Sequence, residues 1–422
     1  MTKTIVFKFG GASVKDASAL KNFAEILRNR LRRNMVIVVS AMGKTTNALE
    51  AILKLKIDQK DYSSNSANLK DFHLDICKEL FPPEHRIFAL LENQFLALEK
   101  RLQGELTKEN YDEFYDAVIS VGELLSSKIV MEFLCLNDMV VLWRDAREII
   151  ATNSDFRFAK INWEKTRERC KYQLIPNLEK FPVVTQGFIG ADEFGKTTTL
   201  GREGSDFTAA ILASCLGASA VTIWKDVPGV LNADPKKFEN TTLFSELDYK
   251  QAAEMTYYGA SVIHPKTIKP LANSRIPLFV KSFLNPEANG TKIHSLESFE
   301  PIPTLILKEN QVLVSFKVTD FTFIEESHIH RVYEELRSLK LRVNMLQISA
   351  ISISLVMDSQ PYHFEKLLER LKGLFEIRYN EGLELFTILH PEKDSITPLL
   401  DGYDVLLEQS TRNTIQFVRR KK

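Results

Sequence analysis

The chain has 422 residues, 44% of them apolar and 26% charged, a composition of folded globular protein with length enough for two or three domains. Its 55 basic and 55 acidic side chains cancel, so bulk charge recruits neither nucleic acid nor a membrane surface, while small charged substrates stay open. Four cysteines without a C-x-x-C pair indicate neither a disulfide framework nor a zinc site, and no stretch approaches the ~20 apolar residues of a membrane span, so a cytoplasmic protein with reduced thiols is expected.

Thr4 to Phe9 predicts a strand running directly into the glycine loop Gly10-Gly11-Ala12-Ser13. From Asp16 to Arg33, Leu20, Phe23, Leu27 and Leu31 form one helical stripe, and Arg28, Arg30, Arg32 and Arg33 load a solvated C-terminal end where cations suit the dipole. Met35 to Val39 is wholly apolar, as in a parallel strand buried on both faces, and ends in Ser40-Ala41-Met42-Gly43. Gly43-Lys44-Thr45 is not a P-loop, because the glycine required five residues earlier is Val38. Residues 47 to 137 read as several helices. Ser120-Val121-Gly122-Glu123 interrupts one apolar helical face, and Glu123 is either a surface or N-cap charge or a functional carboxylate.

Met139 to Trp143, Pro182 to Thr185, Val221 to Trp224 and Leu278 to Val280 supply further strands with helices between, which gives an α/β sandwich around a largely parallel sheet. Ligands of such sheets bind beyond the carboxyl ends of the strands. The polar loops at Gly10, Ser40, Gly187, Gly201 and Asp226 adjoin strands and can converge there. No G-x-G-x-x-G follows the first strand, which disfavours a dinucleotide oxidoreductase.

Two readings of TTTLGREGSDFTAA (Thr197 to Ala210) stand open. In one, Gly201 to Ser205 is an anion cradle of unpaired backbone N–H groups at a helix N-terminus, with Arg202 as a planar fork and Asp206 orienting a cation. In the other it is a plain helix start capped by Ser205. Either way the helix runs through Cys215 to a stop at Gly217. Beyond Lys225-Asp226 and Gly229 comes a turn-rich segment with Asp234 and Lys236, then a helix from Asp248 to Tyr258 and another opening at Pro265. His264 lacks a second histidine at ligand spacing and reads as a packed or capping residue.

Pro286 to Pro303 has linker composition, so one domain is placed at 1–300 and a second at 301–422. In the second, strands at Gln311 to Val318, Leu341 to Ile348, Ile351 to Met357 and Glu376 to Tyr379 alternate with helices at Glu325 to Leu339 and Tyr362 to Leu374 in a βαββαβ order, a ferredoxin-like unit. A second, shortened copy is expected from Leu383 onward.

Taken together, KFGGAS (Lys8 to Ser13), VVSAMGKTTN (Val38 to Asn47), SVGELLSS (Ser120 to Ser127), TQGFIG (Thr185 to Gly190), TTTLGREGSDFTAA, WKDVPGVLNADP (Trp224 to Pro235) and AAEMTYYGASVIHP (Ala252 to Pro265) resemble, in order, the motifs of the aspartate kinases of the amino-acid kinase family. The resemblance implies a three-layer αβα kinase domain followed by paired ACT domains. It implies phosphoryl transfer from Mg-ATP to the side-chain carboxylate of L-aspartate, giving 4-phospho-L-aspartate, the first step toward lysine, threonine, methionine and isoleucine. It implies Lys8 and Asp206 as catalytic residues, and Ser40, Thr46, Glu123, Arg202 and Ser205 around aspartate, with Arg202 on the α-carboxylate and Glu123 on the ammonium group. ATP would lie along Lys8, Gly10, Gly11, Ser13, Lys225, Asp226, Gly229, Asp234 and Lys236 as Mg-ATP, with Asp206 holding Lys8 or the magnesium shell in place and no resident metal site. A homodimer through the C-terminal domains, with lysine or threonine as effector, is also implied.

The chain departs from the family pattern at several points. Glu203 replaces a glycine of G-R-G-G-S-D and has to point away from the anion cradle. Ser261 replaces a lysine for which Lys266 is the nearest substitute, and Leu231 replaces a tyrosine at the base. Asp320 to Glu325 lacks the usual glycine turn, and Asn344 stands for an aspartate that meets an effector ammonium. These departures motivate an alternative, an inactive or amino-acid-sensing homologue. A kinase for acetylglutamate, glutamate or a nucleoside monophosphate is disfavoured by GREGSD and SVGELLSS.

Overall fold

The computed structural model describes residues 3–201, 203–260, 263–298, 300–319, 322–392 and 396–422. The chain divides into two compact units: Met1–Val230 with Leu243–Ala253 and Val262–Glu297, and Leu231–Thr242 with Glu254–Ser261 and Ser298–Lys422. Two short segments thus pack with the C-terminal unit although they precede the proline-rich stretch.

The first unit is built on strands β1 (Ile5–Phe9), β2 (Met35–Val39), β3 (Leu142–Trp143), β4 (Val183–Gln186), β5 (Ile189–Ala191), β6 (Thr197–Thr199), β7 (Ala220–Lys225), β8 (Glu246–Asp248), β9 (Leu278–Ser282) and β10 (Thr291–His294). Eight of these form one sheet in the order β3-β4-β2-β1-β7-β9-β10-β8, parallel throughout except between β9 and β10. All five side chains of β2 are buried, as expected for a strand covered on both faces. Alternation along β1 sorts its side chains between those faces. Phe7 and Phe9 pack into a core with Leu20, Phe23 and Leu27 of the Ala17–Arg28 helix, while Lys8 faces the opposite layer, where Asp206 of the Gly204–Leu216 helix lies 2.6 Å from its ammonium group. These helix–sheet–helix layers match the α/β fold read from the sequence.

Two local expectations fail in this unit. The first helix stops at Arg28 rather than Arg33, because the chain must reverse through a left-handed Asn34 (φ 60°) to begin β2. Arg30 is consequently no free helix-end charge: it pairs with Glu287 at 2.6 Å. The presumed linker contains β10, whose short sequence reads as a loop alone and becomes a strand through its partners β9 and β8.

The second unit holds β11 (Thr304–Val318), β12 (Val343–Ile348), β13 (Ser352–Asp358), β14 (Phe375–Leu389), β15 (Tyr403–Ser410) and β16 (Thr414–Lys421) in a six-stranded antiparallel sheet, β12-β13-β11-β14-β16-β15. With helices Glu326–Ser338 and Pro361–Leu371, the first four strands make the expected βαββαβ unit. The second copy is not a separate sheet. β11 and β14 are each 15 residues long and bend through register shifts between Lys308 and Leu313, so their far halves pair with each other and β14 pairs onward with β16.

Candidate active site

The register of the parallel sheet brings three strand ends level. Phe9 pairs with Val39 on one side and Trp224 on the other, so Lys8 near the end of β1, Lys225 at the end of β7 and Ser40 just past β2 lie together along the carboxyl-end edge of the sheet. Behind them Phe9 stacks on Trp224 with centroids 5.8 Å apart and meets Phe23 edge-on, fixing the strand ends against the core.

Two glycines let the surrounding elements close on this edge. A Cβ at Gly122 would sit 2.9 Å from Thr45 Cγ2 and 3.1 Å from Ala41 Cβ, so the Tyr111–Leu136 helix can press Glu123 against the loop after β2 only with glycine there. At Gly187 a Cβ would lie 2.4 Å from Ser205 Cβ. Gly187→Ala is expected to lower stability by roughly 1–3 kcal/mol, through forced displacement of the Gly204–Leu216 helix start. Thermal melting with an aspartate saturation curve reads both effects, and an unchanged melting temperature would refute the interlock.

The electrostatic centre is Asp206. Its carboxylate lies 2.6 Å from Lys8 Nζ and 3.4 Å from Lys225 Nζ, and both Lys8 and Asp206 are buried. Burial alone would raise the Asp206 carboxyl; the charges and hydrogen bonds of the two ammonium groups more than reverse this and hold it below the ordinary range. It is therefore an anion that fixes two cations side by side at the sheet edge.

Glu123 is neither a surface charge nor an N-cap. It lies in the middle of a 26-residue helix, 3% exposed, and its Oε2 has no hydrogen-bond partner among the described residues. Burial pushes its carboxyl up to about 8, opposed only in part by backbone hydrogen bonds including one from Ala41.

A cavity of about 560 Å³ opens at this edge. It brings together Lys8, Gly11, Ser40, Thr46, Glu123, Ser205, Asp206 and Lys225 of the residues singled out in the sequence. Gly10 and Ser13 stand just behind it, Gly10 next to Lys8 and Ser13 buried in the Gly11–Val14 turn. Asp226, Gly229 and Lys266 are outside its wall; Gly229 packs against Thr291, and Lys266 donates its backbone N–H to the His264 ring, which caps the Pro265–Asn273 helix. Asp234 and Lys236 belong to the other compact unit, where the Lys236 N–H donates to Asp234. Arg202 and Ser261 lie outside the described residues.

Two expectations for the Gly201 loop are corrected. The N-cap of the Gly204–Leu216 helix is Glu203, in a left-handed conformation, and Ser205 is inside the first turn. Glu203 is not set apart from the site: the residue is part of the cavity wall.

Sequence reasoning passed over Glu50, Tyr115, Arg157, Phe158, Phe188 and Thr199, which complete the wall. Tyr115 donates to Glu50 at 2.5 Å, and the Arg157 guanidinium lies 4.5 Å over the Tyr115 ring. Buried Asp116 accepts hydrogen bonds from the Arg157 and Thr199 backbone N–H groups and from the Thr199 hydroxyl, tying two distant segments to one helix. Tyr115 was within reach, two helical turns before Glu123 on the same face. Arg157 was not, because its segment is irregular. Arg157, Phe188 and Glu203 also share positive φ values of 68°, 71° and 54° without being glycine, and strain of this kind collects at functional sites.

The model of the "Amino acid kinase family" matches residues 3–282. The lysine-sensitive aspartokinase 3 of Escherichia coli K12 is 32% identical over 400 residues, covering 92% of this chain and 87% of the relative. The crystal structure of E. coli aspartokinase III with aspartate and ADP, in the R state, superposes with a TM-score of 0.83 at 29% identity over 99% of this chain and 96% of that one. The T-state structure of the same enzyme with lysine and aspartate gives 0.81 at 30% identity, with the same coverage. Matched by the family model over more than half its length and by a full-length relative over nine tenths of it, the chain belongs to the amino acid kinase family and, within it, to the aspartokinases.

Proposed function

We propose that the cavity at the edge of β1, β2 and β7 transfers the γ-phosphoryl group of ATP to the β-carboxylate of L-aspartate. The supporting observation is the Lys8–Asp206–Lys225 cluster on the cavity wall, which sets two ammonium groups against one buried carboxylate. A carboxylate acceptor is already a nucleophile, so the protein's tasks are to place two polyanions and offset the charge spreading over the transferring group. Lys8 would contact that group, and Asp206 would hold Lys8 and Lys225 in position. The Gly10 and Gly11 amides, with Ser13 behind them, would lie along the phosphates, and Asp226, Gly229 and Lys266 would lie along the rest of the nucleotide. Glu123 would take the aspartate ammonium, Arg202 its α-carboxylate, and Ser40, Thr46 and Ser205 would offer hydroxyls beside it.

Among the described residues no group of three or more His, Cys, Asp or Glu side chains could cage a metal ion. A Mg2+ held mainly by ATP phosphates and water, as magnesium commonly is, asks for no such cage. When bound, it supplies further neutralisation of phosphate charge.

We assign the C-terminal sheet to ACT-type regulation by lysine or threonine and to homodimerisation, in a cytoplasmic enzyme. The support is the βαββαβ unit, the lysine complex of the E. coli relative, and the absence among the described residues of a helix long and apolar enough to cross a membrane. Purified protein with Mg-ATP and L-aspartate is expected to yield aspartyl hydroxamate on trapping, and neither L-glutamate nor N-acetylglutamate should replace aspartate. No hydroxamate from aspartate would sink the kinase reading in favour of a sensing homologue. Lysine and threonine titrated into the same assay, with light scattering for mass, test the regulatory assignment.

A further inference from the structure

Glu203 carries two unfavourable features at once. Its backbone is left-handed (φ 54°, ψ 28°), a region that disfavours residues with a Cβ, although it sits at a helix N-cap that many side chains fill in extended geometry. Its side chain does not cap the helix, and its Oε2 is buried without a hydrogen-bond partner among the described residues. Buried carboxylate oxygens are normally paired, and one that is not calls for a donor from elsewhere. The residue lines the cavity, so a change of side-chain rotamer would turn this carboxylate from its buried position toward a bound molecule that supplies the donor.

The cavity wall indicates which donor. Its cations Lys8 and Lys225 are grouped around Asp206, Arg157 lies over the Tyr115 ring and pairs with Asp112 at 3.2 Å, and the carboxylate of Glu50 already accepts from Tyr115. Glu123 and Glu203 remain, each with a buried, unpartnered oxygen. An ammonium group carries three donors, so one carboxylate does not exhaust it.

We propose that Glu203 is a specificity-determining residue of the acceptor subsite, its carboxylate accepting from the ammonium group of the amino-acid substrate alongside Glu123. The inference rests on the aspartate-kinase reading of the same cavity. It makes Glu203 the reason this site keeps a strained, non-glycine residue at the loop: selection for the amine is gained against backbone stability.

Calorimetric titration of the full-length protein with L-aspartate and with succinate, the same dicarboxylate without the ammonium group, tests it. Wild type should prefer aspartate strongly, and Glu203→Gln should reduce the aspartate-to-succinate preference by about tenfold or more. Glu203→Gly should lose the same preference while raising the thermal midpoint, because glycine accepts the left-handed backbone without penalty. That pairing separates the carboxylate from the fold. An unchanged preference in Glu203→Gln, or a change confined to the Mg2+ requirement for ATP binding, overturns the proposal and leaves the aspartate-kinase reading standing. A wild-type protein that binds neither acid overturns both.

Discussion

Lys8→Ala is expected to lower turnover by about 10²–10³-fold at saturating substrates, the scale of losing one preorganised charge at a transferring group. The reason lies in where β1 delivers this side chain. Lys8 sits between β2 and β7 at the sheet edge, faces the layer opposite Phe7 and Phe9, and is held 2.6 Å from Asp206. Its position is fixed before any substrate arrives, so no reorganisation is needed as charge develops. Stability should suffer less than activity. Deleting one partner of a buried ion pair typically costs about 3–5 kcal/mol by stranding the other charge, but Asp206 keeps Lys225 at 3.4 Å. Asp206→Asn is the informative contrast, since it leaves two neighbouring ammonium groups without their shared anion and should destabilise more than Lys8→Ala. Turnover of Lys8→Ala within tenfold of wild type, in a folded protein, would remove Lys8 from the reacting centre.

How much of this was legible in the sequence depends on whether a signal is local. β2 announces itself because five consecutive apolar residues have few other fates. The positions of Lys8, Ser40 and Lys225 follow from strands that end in polar loops, since a parallel sheet aligns those ends. Glu123 was ambiguous for a physical reason: a carboxylate in a helix reads alike whether it faces water or a cavity, and only the packing permitted by Gly122 decides. β10 and the shared strands β11 and β14 were misread because short or bent strands are defined by their partners. Arg157 and Thr199 reach the cavity only through Asp116, a tertiary tie with no sequence period. The left-handed conformation of Glu203 has no signal in its own residue type, because that region favours glycine; only the glycine that the family pattern carries at this position points to it.

Aspartate affinity is expected to rise with pH up to about 8, and Glu123→Gln should abolish that dependence. Burial holds the Glu123 carboxyl at about 8, so in the empty cavity at neutral pH it is mostly protonated. An ammonium ligand needs the carboxylate, and binding below pH 8 must therefore expel a proton, weakening the apparent affinity roughly tenfold for each pH unit well below that value. The same shift acts on the fold with a definite sign. Between the ordinary value of 4.5 and about 8 the folded protein binds a proton that the unfolded chain has released. The stabilisation from the neutral buried carboxyl is complete below the lower value and is lost as pH rises through the upper one; it amounts to something on the order of 5 kcal/mol. Glutamine is neutral at every pH and has no such loss. The melting temperature of wild type relative to Glu123→Gln should consequently fall from pH 5 to pH 8.5, and saturating L-aspartate should recover most of the difference at the upper end, where its ammonium group replaces the missing proton. A difference that stays flat with pH would mean that Glu123 is ionised in the empty cavity and already paired, and the ammonium subsite would then have to be sought elsewhere on the wall.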